Sequence, residues 1–298
     1  MDLHSFFSAL AAVFDRIFCL FAELSNIKDI TNMIDHATLP SLCEQALPII
    51  QATGDFILRE LGKVSTESIE EKSLNSLVSY VDKTAERQLV EGLQKLLPAA
   101  TFITEEDTIA NQESDLQWII DPLDGTTNFL HQLPCFAVSV GLRSKGELVL
   151  GIVLEVNRKE CFYAWKGGGA FLNGKPISVS KTPTLGDALI ATGFPYHAYD
   201  HMQPFLQAFE HFMRHSRGVR RWGAAAVDLA YVACGRFDTF FEYGLSAWDI
   251  AGSALIVQEA GGIVTNFKGT DDYLFPGDVV AGNPTVAKAV QEVVGRYF

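Results

Sequence analysis

Apolar positions along this chain recur with two different periods, and acids fall where the period changes. From Leu39 to Leu61, Leu42, Ala46, Ile49, Ile50, Phe56 and Ile57 follow helical spacing. They predict one long amphipathic helix with a kink at Pro48 and a stop at Gly62. Residues 65–73, with Glu70, Glu71 and Lys72, read as a polar loop. Leu77–Asp82 leads into a second helix through Glu86, Leu89, Leu93 and Leu97, with Asp82 as cap and Pro98 as terminator. Two short apolar runs follow. Phe102-Ile103-Thr104 ends in Glu105-Glu106-Asp107, and Trp118-Ile119-Ile120 ends in Asp121. Each reads as a buried strand carrying acids at its carboxyl end, where ligands gather in open sheets. Residues 137–142, 148–155 and 160–165 read as successive antiparallel strands, and Asn173-Gly174 as a hairpin turn. The second half predicts strands at 188–192, 237–242 and 279–282, with helices at 201–215, 223–233, 248–260 and 286–294. The pattern is that of an α+β fold.

The 298 residues suffice for one large or two modest domains, and 48% hydrophobic with 20% charged residues is ordinary globular composition. A net charge of −13 argues against nucleic acid or an anionic membrane surface as partner. The five cysteines are scattered without CxxC spacing, as expected of thiols in a reducing cytoplasm. Residues 1–35 stand apart. Ser5–Leu24 is rich in Phe, Ala and Leu, but Asp15 and Arg16 interrupt it and no basic leader precedes it. It reads as an amphipathic extension, neither signal peptide nor membrane span, and Met33 offers a second start. His211 and His215 share a helix face, but no Glu follows His211 as in HExxH, so they read as a surface pair.

The chemistry concentrates in Asp121-Pro122-Leu123-Asp124-Gly125-Thr126-Thr127-Asn128-Phe129. Asp121 and Asp124 lie across a tight turn and can face one point beyond the strand, where two anions repel unless a cation lies between them. Oxygen-only ligands suit a hard divalent ion such as Mg²⁺. Gly125 allows close backbone approach, and Thr126 opens a helix whose free N–H groups suit an anion. The same residues also make an ordinary capped turn. Other segments decide between these readings.

Leu77-Val78-Ser79-Tyr80-Val81-Asp82, Glu105-Glu106, the Asp121–Phe129 stretch and Trp248-Asp249-Ile250-Ala251-Gly252 together resemble, in order and spacing, the signature set of the inositol monophosphatases. The match covers the chain from about residue 38 onward. The resemblance implies a layered αβαβα sandwich over 36–298 with halves near 36–184 and 185–298, dependence on two to three Mg²⁺, lithium sensitivity and a homodimer. Carried over residue by residue, Glu105, Asp121 and the Leu123 carbonyl hold one ion. Asp121, Asp124 and Asp249 hold a second, and Glu105 a weaker third. Thr126, bonded to Asp82, orients the attacking water, and Gly125 and Thr126 N–H groups hold phosphate. Lys72 matches a mobile-loop lysine, with one residue fewer before Asp82.

For the substrate, Glu242 resembles the carboxylate that accepts from a substrate hydroxyl. Gly223-Ala224-Ala225 resembles a pocket Gly-Thr-Ala with Ala224 in place of Thr, and Ser246 stands where it could reach the sugar. The resemblance implies hydrolysis of myo-inositol 1-phosphate or a related polyol or sugar phosphate. Fructose-1,6-bisphosphatase and histidinol-phosphatase are rivals. 3′-Phosphoadenosine 5′-phosphate phosphatase is disfavoured by Thr127, since that motif carries Lys after Asp-Gly-Thr. A regulatory binding protein that keeps the fold is the alternative outside enzymology.

Overall fold

The computed structural model describes residues 34–298 apart from 66, 68, 74, 75, 113 and 195–198, with the backbone alone at 71–73 and 76. The amphipathic reading of the first 35 residues therefore falls almost wholly outside the described residues. From His36 to Phe298 the chain folds as one unit.

Helix α1 (Leu39–Glu60) carries Pro48 inside it and buries Leu39, Leu42, Ala46, Ile50 and Ile57. It pairs with α2 (Tyr80–Leu96) against one face of a seven-stranded sheet. Between the helices, where the polar residues read as a loop, β1 (Glu70–Ser73) and β2 (Ser76–Val78) form an antiparallel hairpin. Backbone pairing, not an apolar alternation, makes these strands, so their sequence carried no strand signal.

The large sheet runs β3 (Thr101–Thr104), β4 (Leu116–Asp124), β5 (Ala137–Ser144), β6 (Glu147–Glu155), β7 (Glu160–Trp165), β8 (Gly169–Leu172) and β9 (Lys175–Ile177) in that order. Only β3 and β4 are parallel, which brings their carboxyl ends, and Glu105 and Asp121, to one edge. Asn173 and Gly174 both take positive φ, 48° and 80°, in the turn joining β8 to β9.

A five-residue helix, α3 (Thr126–Leu130), follows β4. In the second half come β10 (Leu189–Thr192), α4 (Met202–His215), β11 (Gly218–Arg220), α5 (Ala225–Ala233), β12 (Thr239–Glu242), α6 (Ala247–Glu259), β13 (Ile263–Thr265), β14 (Val279–Gly282) and α7 (Pro284–Val294). Their strands form a five-stranded sheet ordered β11-β10-β12-β14-β13. Helices α5 and α6 lie between the two sheets and α4 and α7 cover the far face, giving five layers, αβαβα. Every residue of α5 is buried, and α6 is apolar on nearly all sides, as a middle layer requires. Helix α4 keeps a single buried stripe, Phe205, Ala208 and Phe212.

The middle layer sits unusually close to the large sheet. A Cβ at Gly141 would meet Ala251 at 2.7 Å, and one at Gly151 would run into the Gly252 carbonyl. Helix α6 therefore rests backbone-to-backbone on β5 and β6, which holds its N-terminus beside the end of β4. Gly151→Ala should destabilise the protein by about 3 kcal/mol through overpacking. Gly186→Ala, whose Cβ meets nothing closer than 3.8 Å, should shift stability by less than about 0.5 kcal/mol. Denaturant unfolding of the two variants checks the contrast.

Candidate active site

Asp121 and Asp124 reach one face by a device other than the tight turn expected from sequence. Strand β4 does not end at Asp121 but runs on to Asp124. Asp121 pairs with Ser139 and Asp124 with Ala137, so β4 spends three residues where β5 spends two. That is a β-bulge, placed at Pro122, which has no N–H to give to the ladder. In a regular strand residues 121 and 124 would point to opposite faces. The extra residue restores their parity, and both carboxylates turn toward the helix layer. The Asp121 Oδ1 also accepts from Leu123 N at 2.9 Å, which braces the bulge.

Each carboxylate then meets the N-terminus of a helix. Ala224 is the N-cap of α5 and has no side chain that can cap. Asp124 does it from a distant strand, its Oδ2 accepting from Ala226 N at 2.7 Å. Asp249 is the third residue of α6; Ser246 is the cap, and its N–H donates to Asp249 Oδ2 at 2.7 Å. Asp82 likewise is not the cap of α2. Ser79 is, with its N–H and hydroxyl donating to Asp82 Oδ2 at 2.9 and 2.7 Å. The other oxygen of Asp82 is 3.0 Å from the Thr126 hydroxyl, which also lies 3.0 Å from the Leu123 carbonyl. Both neighbours are acceptors, so the Thr126 hydrogen is committed and its oxygen is left to accept.

Gly125 has φ of 89°, and a Cβ there would sit 3.0 Å from the Cys135 carbonyl and 3.2 Å from that of Gly223. Asn128, quoted in the motif without a role, ties this turn to the pocket loop. Its Nδ2 lies 2.8 Å from the Cys135 carbonyl, 2.9 Å from that of Trp222 and 3.3 Å from that of Gly223. Gly223 and Ala225 are thereby held beside Gly125. Helix α5 begins at Ala225, two residues later than the sequence suggested. Glu242 ends β12, nearly buried. Lys72 lies within β1, and its side chain is outside the described residues.

The field at this junction is strongly negative. Burial, then Glu105, Asp124 and Asp249, pushes the Asp121 carboxyl well above the usual range. Carboxylates so placed need a proton or a cation between them. Burial, opposed by the Ala226 N–H, pushes Asp124 up to about 7. Burial and Asp124 raise Asp249, and burial and Asp249 raise Glu242. Asp228, which motif reading passed over, belongs here too. Burial and Glu242 raise its carboxyl, and its Oδ1 has no hydrogen-bond partner. Its signal was faint: one acid inside a run of Ala, Val and Leu.

Among the described residues, no three His, Cys, Asp or Glu side chains stand as a ready-made metal cage. The donors still suit a hard divalent ion. They are all oxygen, they repel one another while buried, and Mg²⁺ needs only one or two carboxylates beside water and substrate phosphate. His211 and His215 stack at 4.3 Å on α4, outside this cluster. The described cysteines are free thiols, and no helix among the described residues is long and apolar enough to cross a membrane.

Comparison with known proteins agrees with this geometry. Residues 40–296 match the inositol monophosphatase family. The Nus factor SuhB of Pseudomonas aeruginosa is 42% identical over 250 residues, covering 82% of this chain and 92% of that protein. The inositol-1-monophosphatase of Rhizobium meliloti is 42% identical over 244 residues, with the same 82% and 92% coverage. Among solved structures, the SuhB protein of Bartonella henselae superposes with a TM-score of 0.81 at 36% identity, covering 85% of this chain and 98% of that one. The Thermotoga maritima IMPase gives 0.77 at 32%, covering 84% and 95%. With the αβαβα layering and a match across residues 40–296, the chain belongs to the inositol monophosphatase family.

Proposed function

We propose that this protein is a Mg²⁺-dependent phosphatase that hydrolyses a phosphate monoester of a small polyol, foremost myo-inositol 1-phosphate. The observation that carries the reading is that buried Asp121, Asp124 and Asp249 and half-buried Glu105 lie close enough for their charges to raise the pKa values of the three aspartates, beside the Thr126–Asp82 pair. Glu105, Asp121, Asp124, Asp249 and the Leu123 carbonyl would hold two to three Mg²⁺. When bound, these ions neutralise the phosphate and bring the acidity of water toward neutral pH.

The chain's own residues supply the rest. Thr126, with its hydrogen committed to Asp82 or Leu123, can only accept from an incoming water, which turns a lone pair toward phosphorus. The N–H groups of Gly125 and Thr126, at the start of α3, would take phosphate oxygens. Gly125 is the one residue type that leaves that backbone uncovered. Glu242 and the Gly223–Ala225 turn would read the substrate hydroxyls. Positioning and charge neutralisation dominate phosphoryl transfer, so this division of labour is sufficient. Sensitivity to lithium and assembly as a homodimer belong to the same proposal. So does a catalytic unit that begins near residue 36.

A second reading, a regulatory protein that keeps the fold, is favoured by the relatives named Nus factor SuhB. An open cleft of about 330 Å³ lined by Arg158, Arg220, Arg236 and Trp222, with Arg236 paired to Glu160, would offer such a partner an aromatic, arginine-lined surface.

Asp121→Asn should lower Mg²⁺-dependent phosphate release from a panel of polyol and sugar phosphates at least about 100-fold. In chelator the same variant should be more stable than wild type by about 1 kcal/mol, because it removes a buried like charge. Unchanged release would defeat the mechanism. If Asp121→Asn replaces the wild-type gene in its host without loss, the regulatory reading takes precedence. Thr126→Ala and Asp82→Asn should each reduce turnover roughly 100-fold with Mg²⁺ affinity nearly unchanged, measured by steady-state kinetics and calorimetry. Removing residues 1–34 should leave turnover intact in a protein that still folds.

A further inference from the structure

Helix α2 carries a second carboxylate, Glu86, that the reaction does not use. It lies one turn after Asp82 and is fully buried. Among the described residues it pairs with no cation. Instead its Oε2 accepts from Glu106 N at 2.7 Å, and its Oε1 accepts from Thr108 N at 2.7 Å and from the Thr108 hydroxyl at 2.6 Å. These donors belong to the loop that leaves β3, and they bracket Glu105 from the C-terminal side. The Phe102 carbonyl accepts from Gln112 N, and Asn111 Oδ1 accepts from Thr104 N at 2.9 Å, so the loop is folded back on its own strand. Glu86 joins the start of that loop to helix α2, while Gln117 of β4 donates to the Gln112 carbonyl at its far end.

Asp82 and Glu86 share one face of α2, about 5–6 Å apart at Cβ. Asp82 grips Thr126 in the turn after β4, while Glu86 grips the loop after β3. Two segments bearing acids of one proposed ion site are thus set against a single helix, whose geometry does not stretch. We propose that Glu86 is a positioning residue that holds Glu105 in register with Asp121, so that the ion affinity of the site depends on a side chain that never touches the ion. This rests on the phosphatase reading only for the identity of the ion.

Glutamine at 86 keeps the volume but replaces one acceptor oxygen with an NH₂ that faces an N–H donor, so the clamp cannot close on both sides. Partners behind metal ligands typically change affinity by about 10- to 100-fold. Glu86→Gln should therefore weaken Mg²⁺ binding roughly 10-fold by calorimetry on the full-length protein without substrate. It should also speed amide exchange at Glu106 and Thr108. Turnover at saturating Mg²⁺ should stay near the wild-type value, so the loss appears in the Mg²⁺ half-saturation and not in kcat. Thr108→Ala, which removes one of the three donors, should give a smaller weakening in the same direction, and Thr108→Ser should restore it. This second pair decides the matter if Glu86→Gln fails to fold. Wild-type affinity for Mg²⁺ in both Glu86→Gln and Thr108→Ala would overturn the positioning role. Wild-type protein that binds Mg²⁺ but releases phosphate from no ester would instead overturn the phosphatase reading and leave the clamp standing.

Discussion

The structure turns on a repulsion. Glu105, Asp121, Asp124 and Asp249 come from three segments and influence one another where the large sheet touches the middle helix layer. Charges taken out of water and set beside like charges are unfavourable by several kcal/mol unless something opposes them. The fold opposes them with its helix ends. Asp124 takes the N–H of Ala226 at the start of α5, Asp249 takes Ser246 N at the start of α6, and Asp82 takes Ser79 N at the start of α2. Each positive helix terminus faces an acid, which lowers the field without removing it. What remains is a net demand for positive charge at one point. That demand is the physical content of the proposed ion site.

The layering makes those helix ends available. Helix α6 can bring its first turn to the β4 end only because Gly141, Gly151 and Gly252 let helix and sheet backbones touch. Helix α5 can start beside Asp124 only because Asn128 gathers the Cys135, Trp222 and Gly223 carbonyls around one side chain. Packing, capping and the acid cluster are one arrangement described at three scales. A change at Gly151, far from any chemistry, is therefore expected to disturb the site through the position of α6.

Much of this was legible in the residues. Helical spacing marked α1 and α2, and acids after a short apolar run marked the end of β3, while β4 runs three residues past the acid expected to end it. The segments quoted for the family resemblance fall together in space. What could not be read has identifiable causes. The bulge at Pro122 is invisible to period-two counting, because the extra residue shows only against the register of β5. The hairpin β1–β2 has backbone pairing and no apolar alternation. Asp82 and Asp249 sit where any acid near a helix start would be read as the cap. The real caps, Ser79 and Ser246, are displaced by three residues because a capping box uses both positions. Asp228 and Glu86 lie among buried apolar residues, so only three-dimensional neighbours distinguish them from ordinary helix positions.

The catalytic and regulatory readings place different demands on the same residues. A surface that only recognises a partner has no use for buried acids held next to one another, and amides of equal size would remove the repulsion at no loss of shape. This chain keeps the acids and surrounds them with donors aimed at their outer oxygens, from Ala226, Ser246 and Leu123. Such support leaves one oxygen of each of these carboxylates without a backbone N–H partner among these bonds. The arginine-lined cleft around Trp222 draws on the same segment that runs from Arg220 into the Gly223 turn. A partner seated on that cleft would press on the loop that Asn128 holds against Gly125. The cleft and the Gly125 turn thus share one strut, the Asn128 side chain that bonds the Trp222 and Gly223 carbonyls.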